Sequence, residues 1–224
     1  MERPNTGRFA QAPKGGLSGY VERTLKQALI EGKLLPGERL VAKDLAAQLD
    51  VSPTPVREAL LKLVAYGALE ISPAQSFQVP VITRAQYAEI ALIREAIESL
   101  ATSHAARVID TQRIDQLASL DERYKAARRR GKSAEALQLN REFRFCLYEA
   151  AQMPILMAQI EQLWLRVGPC LHHIFPIDED NPFEAHNYDK LVCALREHDS
   201  EAAATLIAKA VREGTEIILE RLGQ

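Results

Sequence analysis

The sequence predicts a mostly α-helical protein: an N-terminal winged helix-turn-helix with a small β-hairpin wing, then a C-terminal antiparallel all-helical bundle. Three observations predict it. Two short helical patterns, Val41–Leu49 and Ser52–Val64, are joined by the tight connection Asp50-Val51. Two short, partly alternating segments follow, with the turn-forming run Ser72-Pro-Ala-Gln-Ser76 between them. From Thr83 to the end, only helical periodicity remains.

Residues 1–16 carry Arg3, Pro4, Gly7, Pro13 and Gly15-Gly16 and read as a flexible arm, which places the first domain at 17–82 and the second at 83–224. Tyr20 to Gly32 reads as an amphipathic helix through Val21, Leu25, Leu29 and Ile30, stopped by Gly32 and the turn Pro36-Gly37. The next helix, Val41-Ala-Lys-Asp-Leu-Ala-Ala-Gln-Leu49, sets Leu45 and Leu49 one turn apart. In Ser52-Pro-Thr-Pro-Val-Arg-Glu-Ala-Leu60, Ser52 is placed as N-cap. Pro53 and Pro55 fall in the first turn, where a missing amide hydrogen costs little. Val56, Ala59, Leu60, Leu63 and Val64 then form one buried face, leaving Thr54, Arg57, Glu58 and Lys62 toward solvent. Ala68–Ile71 and Phe77–Pro80 complete the wing.

A polar, exposed N-terminal turn on the second helix of a helix-turn-helix is the geometry that enters a DNA groove. The alternative is a module that binds only protein. Residues 1–82 hold ten Lys/Arg against eight Asp/Glu, and the remainder holds eighteen against twenty-two. A domain at +2 owes its DNA affinity to placement rather than to overall charge. The candidate DNA-contacting residues are Arg39, Lys43, Ser52, Thr54, Arg57 and Lys62, with Gln75 from the wing.

Pro36-Gly37-Glu38-Arg39-Leu40, Leu45-Ala46 and Thr54-Pro-Val-Arg-Glu-Ala-Leu60 resemble the N-terminal domain of GntR-family bacterial transcription regulators over roughly residues 18 to 80. The resemblance implies a double-stranded DNA operator, near-palindromic and read by a homodimer. Two departures stand out: Pro53 where family members usually carry Arg, and Pro73-Ala-Gln-Ser76 where they usually carry a basic, Gly-containing wing.

In the second domain helices are predicted near 84–109, 111–130, 133–151, 154–175, 182–197 and 199–222, the first opened by the capping signal Thr83-Arg-Ala-Gln86. Pro169 lies inside the fourth and is expected to bend it. Asp178-Glu-Asp180 reads as a helix-entry cap. Several polar residues fall on faces that should be buried: Arg94 between Ile90 and Ile97, Asn140 and Arg144 beside Leu137, Leu147 and Ala151, and Tyr188 on the face of Leu191, Val192 and Leu195. A buried guanidinium needs an internal carboxylate or an anionic ligand. Structural ion pairs, Arg94 with Glu98 and Arg144 with another carboxylate, are one reading; a ligand pocket is the other.

Arg94-Glu-Ala-Ile-Glu98, Asn140-Arg-Glu-Phe-Arg144 and the last two helices are similar to the all-helical FCD effector domain of the FadR-like GntR subgroup. Many members bind a divalent metal there through an Asp and a His one turn apart plus two His on the final helices. At the matching positions this chain has Asn140, Arg144, Tyr188 and Ala210, which do not assemble a carboxylate-imidazole site. No metal or other cofactor is therefore expected. Arg144 puts a fixed positive charge where the cation helps hold a small carboxylate effector, so Arg94, Asn140, Arg144 and Tyr188 are the candidate effector-binding residues.

The other chemistry-bearing residues add little. His104, His172, His173, His186 and His198 offer no i, i+4 pair, and Trp164 in a Leu-rich run reads as core. Cys146, Cys170 and Cys193 have no paired or metal-like spacing and read as reduced, buried thiols, with a redox sensor as the alternative. Without a membrane-length apolar run or a signal-peptide pattern, the chain is expected to be cytoplasmic. The sequence thus reads as a homodimeric, effector-responsive repressor. The alternative from another class is a small-molecule enzyme on a helical scaffold, against which stands the absence of His-Glu-x-x-His, Gly-x-Ser-x-Gly or a Gly-rich phosphate loop.

Overall fold

The computed structural model describes residues 16–72, 76–174 and 188–222. Helix α1, Leu17–Ile30, starts three residues earlier than its apolar pattern and buries Val21, Leu25, Leu29 and Ile30 against α3, Pro53–Ala65. Between them lies α2, Ala42–Gln48, whose N-cap position is Val41. The α2–α3 turn places Asp50 at φ 51°, a left-handed conformation that Asp tolerates better than most residues. Ser52 occupies the N-cap position of α3, but its side chain makes no capping hydrogen bond. Pro55 at the third helical position has no N–H to donate, which removes one of the two usual partners of a capping hydroxyl; the Thr54 N–H at the second position is left unused by Ser52.

The wing is a three-stranded antiparallel sheet rather than a bare hairpin. β1 (Arg39–Leu40) pairs with β3 (Phe77–Gln78), which also pairs with β2 (Glu70–Ile71), giving the order β1-β3-β2. Arg39 faces Gln78 and Leu40 faces Phe77 across the first pair. Leu40, Phe77 and Val79 thereby close the core of the domain beside α3.

The bundle opens with α4, Arg84–Val108, capped by a reciprocal box in which Thr83 accepts from the Gln86 amide and Gln86 accepts from the Thr83 amide. α5 (Thr111–Arg129) begins at Asp110, whose carboxylate accepts from the Arg113 amide at 2.7 Å, and α6 (Ser133–Glu149) returns against it. α8 (Tyr188–Arg196) and α9 (Ser200–Arg221) follow, α9 capped by Asp199. The most extensive contact is antiparallel α4 on α9, seen in Arg84 donating to the Leu219 carbonyl near one end and His198 meeting the Ala106 carbonyl at 2.7 Å near the other.

The fourth helix differs from expectation. Its α-helical ladder, α7, runs Pro154–Val167 and tightens into a 3-10 segment, Gly168–Ile174, instead of continuing bent through Pro169. Gly168 lies hard against α1: a Cβ there would sit 2.3 Å from the Leu29 carbonyl oxygen. Only glycine permits this approach. Residues 182–187 of the expected fifth helix, the Asp178-Glu-Asp180 run and the arm up to residue 15 lie outside the described residues. Among the described residues, no helix is long and apolar enough to cross a membrane.

Candidate functional site

On the first domain, Ser52, Thr54 and Arg57 are exposed along the N-terminal turns of α3, while Val56, Ala59, Leu60 and Leu63 on the opposite face are completely buried. The amphipathic pattern thus fixes which side chains the helix presents. Arg57 has no ion-pair or hydrogen-bond partner among the described residues, and Lys43 is exposed at the start of α2. Two other candidates are engaged internally. Lys62 donates to Glu22 of α1 at 3.0 Å, and Arg39 donates from Nε to Ser76 Oγ at 3.2 Å. Gln75 lies outside the described residues.

In the bundle, Arg94, Asn140, Arg144 and Tyr188 converge, and Glu98 is their centre. Glu98 is fully buried; Arg94 and Arg144 are 5% and 3% exposed. Arg94 Nε reaches Glu98 Oε1 at 2.7 Å, and Arg144 Nη1 reaches Oε2 at 3.2 Å. The pairing anticipated for Arg94 is present, whereas Arg144 shares the same carboxylate rather than taking another. Tyr148 donates to Oε2 at 2.5 Å and Trp164 Nε1 to Oε1 at 3.0 Å. Arg94 also stacks over the Trp164 ring, 4.7 Å from its centroid. On the other side, Arg144 Nε donates to the Tyr188 hydroxyl at 3.0 Å, which donates to Asn140 Oδ1 at 2.6 Å. Tyr188 stacks on Phe143 with ring centroids 4.0 Å apart.

Burial opposes ionisation of Glu98, but Arg94 and Arg144 together outweigh it and hold the carboxyl below its ordinary range. Burial pushes the phenols of Tyr148 and Tyr188 upward, so both stay neutral and able to donate. Two guanidiniums share one carboxylate, leaving the described cluster one positive charge in excess.

These residues do not fit a divalent metal. Asn140 Oδ1 is occupied by the Tyr188 hydroxyl, Arg144 is a cation, and Ala210 contributes only a methyl group. The metal-competent group among the described residues is Asp121, Glu122 and Asp189, and the Lys125 ammonium already lies among them at 2.7, 3.2 and 2.5 Å. Burial, aided by the neighbouring Asp189 carboxylate and opposed by the Lys125 ammonium, pushes Asp121 up to about 6.

Sequence reasoning missed Tyr148 and the polar role of Trp164. Tyr148 had a signal, since Asn140, Arg144 and Tyr148 recur every four residues on one face of α6. Trp164 is core as expected, yet its indole N–H is spent on Glu98. Cys146 and Cys170 are buried as expected, but Cys193 is exposed on α8, where its thiol faces Glu197 one turn on. His104 and His198 are exposed, and His186 lies outside the described residues.

A winged helix-turn-helix followed by a helical bundle with a buried polar centre defines the comparison. Residues 17–79 match the bacterial regulatory proteins of the gntR family, and residues 89–213 match the FCD domain. The chain is a GntR-family transcription regulator with an FCD domain. This regulator is 37% identical to the HTH-type transcriptional regulator McbR of Escherichia coli (strain K12) over 220 residues, 97% of this chain and 98% of McbR. It is 26% identical to the HTH-type transcriptional repressor RspR of the same strain, over 92% of this chain and 90% of RspR. The solved structure of E. coli McbR/YncC matches with a TM-score of 0.86, covering 92% of the regulator and 99% of that chain. A GntR regulator from Rhodococcus sp. RHA1, 23% identical, shares the fold with a TM-score of 0.72 over 92% of this chain and 99% of its own.

Proposed function

We propose that the regulator binds a near-palindromic operator as a homodimer and represses transcription until a small organic acid enters the bundle. The observation that carries the effector reading is the charge count of the buried cluster among the described residues: Arg94 and Arg144 against Glu98. A buried excess charge is costly without an anion, and a monocarboxylate held in the arginine fork restores the balance. Asn140 and Tyr188, already hydrogen-bonded in line with Arg144, supply the polar side of such a seat. The chemistry of the same residues supports a site that works without metal.

The DNA reading rests on Arg57, unpaired among the described residues, at the exposed start of α3, with Ser52, Thr54 and Lys43 also exposed on this domain. Lys62 and Arg39, tied to Glu22 and Ser76, contribute by holding α3 and the sheet in place and reach phosphate only if those contacts exchange. The dimer reading is supported by α4, on which Leu92, Ile93 and Leu100 are 70%, 45% and 45% exposed. Beside them, an apolar groove of about 260 Å³ is lined by Leu92, Val211 and Leu219 of α4 and α9. An apolar helix face of this kind calls for a partner surface, and a second copy pairing α4 and α9 places two α3 helices on successive half-sites. Genomic binding-site mapping, followed by operator titration with a panel of small carboxylates, tests the proposal. Release of operator by at least one acid supports it; operator affinity indifferent to every acid, with a monomer in sedimentation, contradicts it.

A further inference from the structure

We propose that the seam between α5 and α6 is a second anion site, separate from the buried cluster, which takes a small molecule bearing acidic groups through Arg113, Arg123 and Arg141. The seam encloses a cleft of about 460 Å³, within the size range of small-molecule sites. Its floor is apolar, from Leu120 and Phe145, and its polar wall is dominated by the three arginines. Ten residues separate Arg113 from Arg123 on α5, so the charged wall runs about 15 Å along the helix.

The internal carboxylates leave these cations under-used. Glu142 accepts from Gln138 at 2.8 Å, and Glu149 meets Arg113 only at 3.6 Å. Arg123 has neither an ion-pair nor a hydrogen-bond partner among the described residues. Arg141 has a buried Nε without an acceptor, and its Nη2 reaches Glu31 only at 3.6 Å. An acidic ligand in the cleft completes these interactions, since a guanidinium binds carboxylate and phosphate alike through paired N–H donors.

The position of Arg141 gives the site a consequence for the DNA-binding domain. Together with Phe145 and Glu149 it also lines an adjoining cleft of about 380 Å³, whose far wall is Arg23 and Lys26 of α1. Glu31 immediately follows α1 and has two contacts besides Arg141, an ion pair from Lys33 to Oε2 at 2.6 Å and a hydrogen bond from Gln27 to Oε1 at 2.8 Å, although its buried Oε2 accepts no hydrogen bond. An anion drawing Arg141 into the α5–α6 seam therefore releases one of the contacts that hold α1 to the bundle, while Glu31 keeps Lys33 and Gln27.

The test uses the full-length protein titrated with inorganic phosphate and, separately, citrate, each against potassium chloride at matched ionic strength, read by calorimetry and thermal shift. One saturable event per chain is expected for at least one probe, and the better probe tells a phosphate ligand from a carboxylate one. Arg123→Ala, with an unchanged circular dichroism spectrum, should weaken that event at least tenfold, while Arg144→Lys should leave it in place. The proposal is overturned if neither probe saturates, or if binding survives Arg123→Ala. It is equally overturned if Arg144→Lys alone removes the event, which would assign the anion to the buried cluster, or if Arg123→Ala weakens operator binding without added anion, which would make the seam part of the DNA footprint.

Discussion

Replacing Glu98 with alanine removes a carboxylate that is fully buried and contacted by Arg94 Nε at 2.7 Å, Arg144 Nη1 at 3.2 Å, Tyr148 at 2.5 Å and Trp164 at 3.0 Å. Two guanidiniums are then left buried without a counter-charge among the described residues, and breaking a buried ion pair in this one-sided way costs about 3–5 kcal/mol. For a chain of this size, each kcal/mol lowers the melting temperature by about 2–4 °C, so a fall of roughly 6–20 °C is expected. The vacated volume is that of a short carboxylate between two guanidiniums. Acetate or formate at millimolar concentration should therefore raise the variant's melting temperature more than chloride at equal ionic strength, because it binds the native state alone. Thermal unfolding followed by circular dichroism, with and without each anion, is the assay. A loss below about 1 kcal/mol would refute the reasoning that the arginines depend on Glu98. A full loss with no carboxylate-specific recovery would refute the claim that the cluster is an anion seat.

Four further outcomes follow from the same structure. Arg57→Ala should weaken operator binding by about 1–3 kcal/mol, measured by fluorescence anisotropy, with the melting temperature unchanged. Because Asp121 is raised to about 6 in the folded protein, the native state binds its proton more tightly than the unfolded chain does. Stability should thus rise as pH falls through about 6 toward the ordinary Asp range, and Asp121→Asn should flatten that rise. Glu98 has the opposite sign: its lowered pKa gives stability that is present above the ordinary Glu range and is lost in stronger acid, so Glu98→Gln should reduce the acid-induced fall. Gly168→Ala forces a Cβ to within 2.3 Å of the Leu29 carbonyl oxygen, so either α1 or the 3-10 segment must shift. It should cost about 1–3 kcal/mol in thermal unfolding.

The parts of the fold that were legible in the sequence are those set by local rules. The α3 helix announces itself because two prolines can only begin a helix and because Val56, Ala59, Leu60 and Leu63 repeat at helical spacing. α4 announces itself by the Thr83/Gln86 box. The parts that were hidden depend on residues far apart in the chain. β1 is two residues long and exists only because Arg39 and Leu40 meet Gln78 and Phe77, nearly forty positions away. The capping failure at Ser52 was only half readable: Pro55 has no amide to give, but Thr54 has one, and the residue type favoured a cap. In the buried cluster, helical periodicity placed Arg94, Asn140, Arg144 and Tyr188 on inward faces correctly. It could not show that Arg144, 46 residues from Glu98, would share Arg94's carboxylate, because that depends on how α4 and α6 cross. Trp164 reads as core from its apolar neighbours, and core it is; only the packing of α7 on α4 points its N–H at Glu98. The end of α7 at Val167 likewise follows from the close passage of Gly168 over α1 more than from Pro169.

The central claim is that an anion seated on Arg144, without metal, controls operator binding. Operator affinity measured with a panel of small organic acids, for the wild type and for Arg144→Lys, tests it most directly, because lysine keeps the charge but loses the planar fork. The account predicts that at least one acid weakens operator binding by the wild type after extensive treatment with a chelator, and that the effect disappears in Arg144→Lys while affinity without acid is retained. An acid response that needs an added divalent metal, or one that persists undiminished in Arg144→Lys, would contradict it.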